Sequence, residues 1–146
     1  MDITAVRQAI SNQITSVIPA PLTSVWYVPD MATEPMVWLR PTQIQYDKAY
    51  GPHGFEQINF EVTLVVSRAD DIASQVNLDQ YIHGTGPLSV KAAIESGREQ
   101  YGGTAYLGIF DDCWVSEVNA YQYFKLGDAT FLGASWTLMV VGSGQI

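Results

Sequence analysis

Residues Gln57 to Ser67 constrain the fold more than any other stretch of this chain. Ile58, Phe60, Val62, Leu64 and Val66 alternate with Asn59, Glu61 and Thr63, the period of a strand with one buried face. Such a strand needs neighbours to pair with and a layer to cover its apolar side. Neighbours are visible downstream, where Cys113 to Phe124 and Thr130 to Val141 flank a Leu126-Gly127-Asp128 turn. That pattern predicts an antiparallel hairpin. On its second arm Leu132, Ala134, Trp136, Leu138 and Val140 share one face, with Ser135 and Thr137 on the other.

Helices supply the covering layer. Asp2 is suited to cap a helix, and Ile3, Val6, Ile10, Ile14 and Val17 follow at helical spacing. They predict an amphipathic helix over Ile3–Ile18, stopped by Pro19 and Pro21. Five of the seven prolines fall between Pro19 and Pro41, so Val25 to Val28 and Met36 to Leu39 read as short or peripheral strands. Tyr46 to Phe55 reads as an irregular loop around Gly51-Pro52-His53-Gly54. After Asp70 and Asp71, Ile72, Val76, Tyr81 and Ile82 predict a second helix. Beyond Gly84-Thr85-Gly86, Pro87 suits the first turn of another, with Val90, Ala93 and Ile94 as its apolar face and Gly97 at its end. The expectation is one α+β domain over residues 1–146: an antiparallel or mixed sheet, an N-terminal helix and a two-part helical segment on it, and a C-terminal hairpin.

A chain of 146 residues, 47% hydrophobic and 15% charged, is large and apolar enough to fold without metal or disulfide. The net charge is −8, and Arg7, Arg40, Lys48, Arg68, Lys91, Arg98 and Lys125 are scattered singly. Binding to a nucleic-acid backbone or an anionic membrane requires clustered cations. Both are therefore disfavoured. Cys113 is the only cysteine, which excludes an internal disulfide and a cysteine metal cluster. The start has no basic-then-apolar leader pattern, and apolar runs such as Trp136 to Val141 are too short to span a bilayer. The expectation is a soluble protein that stays inside the cell.

Catalytic motifs with fixed mechanics are absent from the sequence: no P-loop, no dinucleotide fingerprint, no HExxH, no CxxC and no GxSxG elbow. His53 and His83 lack metal-ligand spacing, and His83 at a helix end has an electrostatic reading. Asp111 and Asp112 are adjacent, so on a strand they point to opposite faces and read as its polar start. Asp70 and Asp71 suit a helix N-terminus, Glu95 and Glu99 a solvated helix face, and Cys113 a small core position. No catalytic residue, metal ligand or cofactor is assigned.

Aromatics remain. Tyr121 and Tyr123 share one strand face and Phe124 takes the other, which fits either a core with tyrosines at its edge or a contact surface for another subunit. The same two readings apply to the loop with Tyr46, Tyr50, His53 and Phe55. These seven residues are the candidate interface residues, and they rest on composition.

Several runs, taken in order, resemble the tail terminator proteins of long-tailed phages with non-contractile tails. They are the N-terminal amphipathic helix, Pro41-Thr42-Gln43-Ile44-Gln45-Tyr46-Asp47, and Phe60-Glu61-Val62-Thr63-Leu64-Val65-Val66-Ser67-Arg68-Ala69-Asp70-Asp71. Leu78-Asp79-Gln80-Tyr81-Ile82 follows, then Gly84-Thr85-Gly86-Pro87-Leu88-Ser89-Val90-Lys91-Ala92-Ala93-Ile94-Glu95, and Phe131-Leu132-Gly133-Ala134-Ser135-Trp136-Thr137-Leu138 closes the series. The resemblance covers most of the chain, and its Gly-x-Gly-Pro-x-Ser-Val-Lys-Ala-Ala-Ile run is the most specific part.

The resemblance implies a ring subunit, commonly one of six, that caps the tail tube at its head-proximal end and stops polymerisation. It also implies a surface for the head-tail connector, with the tube protein and further copies as the other partners. The place implied is the host cytoplasm during assembly and then the neck of the virion. DNA would pass through the ring without specific binding. Three other readings stay open on the sequence: another neck or head-completion protein, a small enzyme around Asp111, Asp112, His53 or His83, and a ligand-binding α+β module.

Overall fold

The structure, a computed structural model, describes residues 1–46, 55–68 and 71–143. Helix α1 (Ile3–Val17) opens the chain, followed by β1 (Thr23–Val25), β2 (Met36–Gln45) and β3 (Phe55–Ser67). Helices α2 (Ile72–Ile82) and α3 (Val90–Glu95) and a 3-10 turn (Glu99–Tyr101) lead to the hairpin strands β4 (Asp112–Leu126) and β5 (Ala129–Ser143). The fold is α+β. Its five-stranded sheet has the order β1-β2-β3-β5-β4, with β1 parallel to β2 and the other pairs antiparallel. No helix among the described residues is long and apolar enough to cross a membrane.

The alternating strand forms where its pattern demands. Ile58, Phe60, Val62 and Leu64 are fully buried, and they meet Val140, Leu138, Trp136 and Ala134 across the β3–β5 ladder. Burying a side chain of this size contributes about 1.5–3 kcal/mol, so this ladder carries much of the core. Val6, Ile10 and Ile14 of α1 cover the same face, as do Leu78 and Tyr81 of α2, Val90 and Ile94 of α3, and Tyr106 and Phe110. Asp2 caps α1 by accepting from Ala5 N–H, and Asp71 caps α2 by accepting from Ser74 N–H. Those bonds hold the Asp71 carboxyl below its usual range.

The sheet is buried on its second face too, which alternation in β3 did not announce. Met36, Trp38, Val65 and Phe131 form a smaller cluster there, with Ala32, Phe124 and Leu126 against it. The proline-rich segment between β1 and β2 crosses this face, so that a Cβ on Gly127 would lie 3.5 Å from the Asp30 carbonyl. Val65 on the polar phase of the strand is apolar for that reason.

Four expectations shift. Val17 is exposed, and Ile18, the residue after the helix, takes the core position. The first short strand is Thr23–Val25 rather than Val25–Val28. Strand β2 does not end at Leu39 but runs through Pro41, because the register slips between Pro41 and Gln43 and Thr42 bonds the Asn59 carbonyl through its hydroxyl; a bulge of this kind accommodates a proline. Helix α3 starts at Val90 with Ser89 as cap, leaving Pro87 in the preceding turn. Gly97 is needed for the Tyr106 ring, whose nearest carbon would sit 2.8 Å from an added Cβ.

Candidate subunit-contact surface

Strand β4 lies at the edge of the sheet, so only one of its sides is paired. Its helix-side face carries Cys113, Val115, Val118, Tyr121 and Tyr123, opposite Val140, Leu138, Trp136, Ala134 and Leu132. Slips at Ser116 and Asn119 keep this row on one face over an irregular ladder. The first two residues are buried and the last three are 43–44% exposed. The cause is the helix layer: α3 packs on β4, whereas α2 packs on β3 and β5. The second half of β4 therefore extends past its cover.

The beginning of β4 is strapped down by polar contacts. Its outward Val115 N–H donates to a Glu95 carboxylate oxygen at 3.0 Å, and the other oxygen of Glu95 takes Lys91 at 2.6 Å. Glu95 is thus not a solvated helix residue; its side chain is only 12% exposed. Arg98 grips Asp112 with two bonds of 2.8 and 3.0 Å, and Asp112 accepts from Cys113 N–H. That pairing raises the Arg98 guanidinium above its ordinary value. Asp112 starts the strand, as expected. The Gly-x-Gly-Pro-x-Ser-Val-Lys-Ala-Ala-Ile run supplies the turn and the helix from which Glu95, paired with Lys91, reaches β4.

At the open half, Tyr121 lies near Asp79 of α2, and its hydroxyl is raised by desolvation and then by that neighbouring charge. Ile72 and Val76 lie on the same stripe of α2 as Asp79, at spacings of four and three. They are 79% and 51% exposed. The sequence reading grouped both with Tyr81 and Ile82 by helical spacing. Of that set Tyr81 is buried, joined by Leu78, while Ile72 and Val76 face outward. Ile72 and Val76 of α2 and Val118, Tyr121 and Tyr123 of β4 are thus all exposed.

The other candidates divide. Tyr46 is exposed, and Phe55 is half-buried at the start of β3, opposite Ser143. Phe124 points to the opposite face from Tyr121 and Tyr123 and packs on the second cluster. Tyr50, His53 and Asp70 lie outside the described residues. Ile72 and Val76 were missed as surface residues because an apolar residue at position i and i+4 has the same spacing whether it faces core or solvent.

The chemical alternatives have a geometry too. A depression of about 250 Å³ is lined by Arg98, Glu99, Tyr106, Asp111 and Asp112, with its one arginine engaged by Asp112. Among the described residues no group of three or more His, Cys, Asp or Glu side chains is placed to hold a metal ion. Cys113 is fully buried, and desolvation followed by the Asp112 charge pushes its thiol up to about 12. It remains a neutral core thiol at physiological pH. His83 caps α2 through its backbone N–H, which donates to the Asp79 carbonyl, and its own carbonyl accepts from the Ser89 hydroxyl. Matched against protein-family models and curated proteins, the chain finds no counterpart.

Proposed function

We propose that this chain is a structural ring subunit that caps the tail tube of a long-tailed phage at its head-proximal end. It stops tube polymerisation there and presents the surface to which the head connector joins. The observation that carries the reading is the exposure of Val118 and Tyr121 on β4 and of Ile72 and Val76 on α2, apolar and aromatic side chains in an acidic chain. Tyrosine is enriched where protein partners bury their contacts. The runs that resemble tail terminators supply the biological setting.

In this reading the chain works by contact and not by catalysis, with further copies, the tube protein and the connector as partners. Its net charge of −8 suits a ring through which DNA passes without adhering. Assembly takes place in the host cytoplasm and the finished ring stays in the neck of the virion.

Tail length tests this directly. Electron microscopy of lysates from a phage lacking the gene is expected to show overlong, headless tails beside filled heads. Tails of normal length beside unattached heads would assign the chain to the joining proteins of the neck. Intact infectious particles would refute the reading.

A further inference from the structure

We infer that Arg7, with the aromatic pair Trp26 and Tyr27, forms a binding site for a side-chain carboxylate carried by an acidic segment of a partner protein. Arg7 belongs to α1 and Trp26 follows β1, at the opposite edge of the sheet from β4. The site goes beyond the tail reading and stands whether or not the chain forms a ring.

Charge singles out this arginine. Arg40, Lys91 and Arg98 meet the carboxylates of Glu61, Glu95 and Asp112 at 2.6–3.2 Å. Arg7 meets none among the described residues, although the chain carries a net charge of −8. Burial lowers its guanidinium from the ordinary value, and no neighbouring carboxylate acts against that.

The way its donors are used decides what it can hold. Nε donates to the Trp26 carbonyl at 2.8 Å and Nη2 to the Leu39 carbonyl at 2.9 Å. Those two nitrogens form one edge of a planar group that carries five N–H donors in a rigid fork. The other edge, Nη1 with the second hydrogen of Nη2, bonds nothing among the described residues. No buried side-chain nitrogen there lacks a hydrogen-bond partner, so Nη1 opens to solvent. Two parallel N–H donors on one edge are what a carboxylate takes in a bidentate pair.

The surroundings hold the fork ready. The guanidinium carbon lies 5.4 Å from the centre of the Trp26 ring, and Tyr27 meets that ring edge-on at 5.4 Å and 84°. Two carbonyls and a ring thus fix the arginine before it binds, which lowers the entropy lost on binding. Tyr27 and Val28 are 47% and 46% exposed and offer contact to apolar residues flanking the carboxylate. A nucleic-acid backbone needs clustered cations; one fork in an acidic chain suits a single carboxylate.

An NMR titration of the full chain with the blocked tripeptide acetyl-Leu-Glu-Tyr-amide tests the site. The Arg7 Nε–H and Trp26 indole N–H signals are expected to shift together and saturate. Glutamine in place of the peptide's glutamate is expected to raise Kd about tenfold or more, the worth of a charge-assisted pair. Arg7→Lys keeps the charge without the fork and is expected to lose as much. Tyr27→Ala alters an exposed ring, and it is expected to weaken binding about threefold with an unchanged melting temperature, which keeps the test open should Arg7→Lys fail to fold. Equal affinity for the glutamine peptide, or no saturable shift of the two signals up to ~10 mM peptide, would overturn the inference. So would a single-stranded DNA oligonucleotide that shifts them at lower concentration than the peptide, since the site would then be one for phosphate.

Discussion

Glu95 links α3 to the free edge of β4, and removing it has a size that the structure sets. β4 is an edge strand, so part of its backbone N–H groups point away from β5. The Val115 N–H is one of these and has the Glu95 carboxylate as its acceptor at 3.0 Å. Val115 is 6% exposed, so water cannot readily replace that acceptor. A hydrogen bond to a charged group contributes about 1.5–3 kcal/mol when its partner is left buried. The Lys91–Glu95 pair has its lysine end 38% exposed to solvent and adds only about 0.3–0.5 kcal/mol. Glu95→Ala is therefore expected to cost about 2–3 kcal/mol, which in a chain of this length lowers the melting temperature by roughly 5–10 °C. Glu95→Gln keeps an acceptor oxygen without the charge and is expected to cost about 1 kcal/mol. Urea titration with an unchanged slope measures both, and amide exchange is expected to accelerate selectively at Val115. A Glu95→Ala protein within about 0.5 kcal/mol of the parent would refute the reasoning. So would a Glu95→Gln protein as unstable as Glu95→Ala, since the acceptor would then not be what matters.

Three further outcomes are expected. Burial raises the Cys113 thiol from 9.0 to about 12 and raises the Tyr106 hydroxyl from 10.0. Above pH 9.0 the unfolded chain thus binds fewer protons than the folded one, and stability falls as pH rises toward 12. One such group gives a limiting slope of about 1.4 kcal/mol per pH unit, so urea midpoints in this window should fall less steeply for Cys113→Ala; equal slopes would count against it. In Gly133→Ala the new Cβ overlaps the Leu64 carbonyl oxygen of the neighbouring strand, and a backbone atom cannot yield as a side chain does. A loss of about 3 kcal/mol or more is expected in thermal melts, and a parental melting temperature would contradict the close approach. Ile72→Asp, at a 79% exposed site, should leave stability within about 0.5 kcal/mol yet prevent complementation of a phage lacking the gene; normal complementation would take Ile72 out of the contact.

What the sequence by itself determined were the parts governed by local periodicity and local capping. The two-residue alternation of Gln57 to Ser67 and of the arm from Thr130 to Val141 specified strands and their apolar faces, because successive side chains on a strand point to opposite sides. Asp2 and Asp71 marked helix starts for an equally local reason, since each carboxylate bonds an N–H three residues ahead. The faces of Tyr121, Tyr123 and Phe124 followed from the same rule.

Only the tertiary structure decided what lies against each face. Placing β5 between β3 and β4 made β4 an edge, and no local pattern encodes which strands are neighbours. That arrangement gave Glu95 a backbone N–H to accept from and left Tyr121 and Tyr123 44% exposed. It also turned Ile72 and Val76 to solvent, although their spacing is that of a buried stripe. A helix carrying apolar residues on two sides buries the side that meets the sheet, and here Leu78 and Tyr81 make that contact. Spacing specifies which residues share a face; contact with the rest of the chain specifies which face is buried.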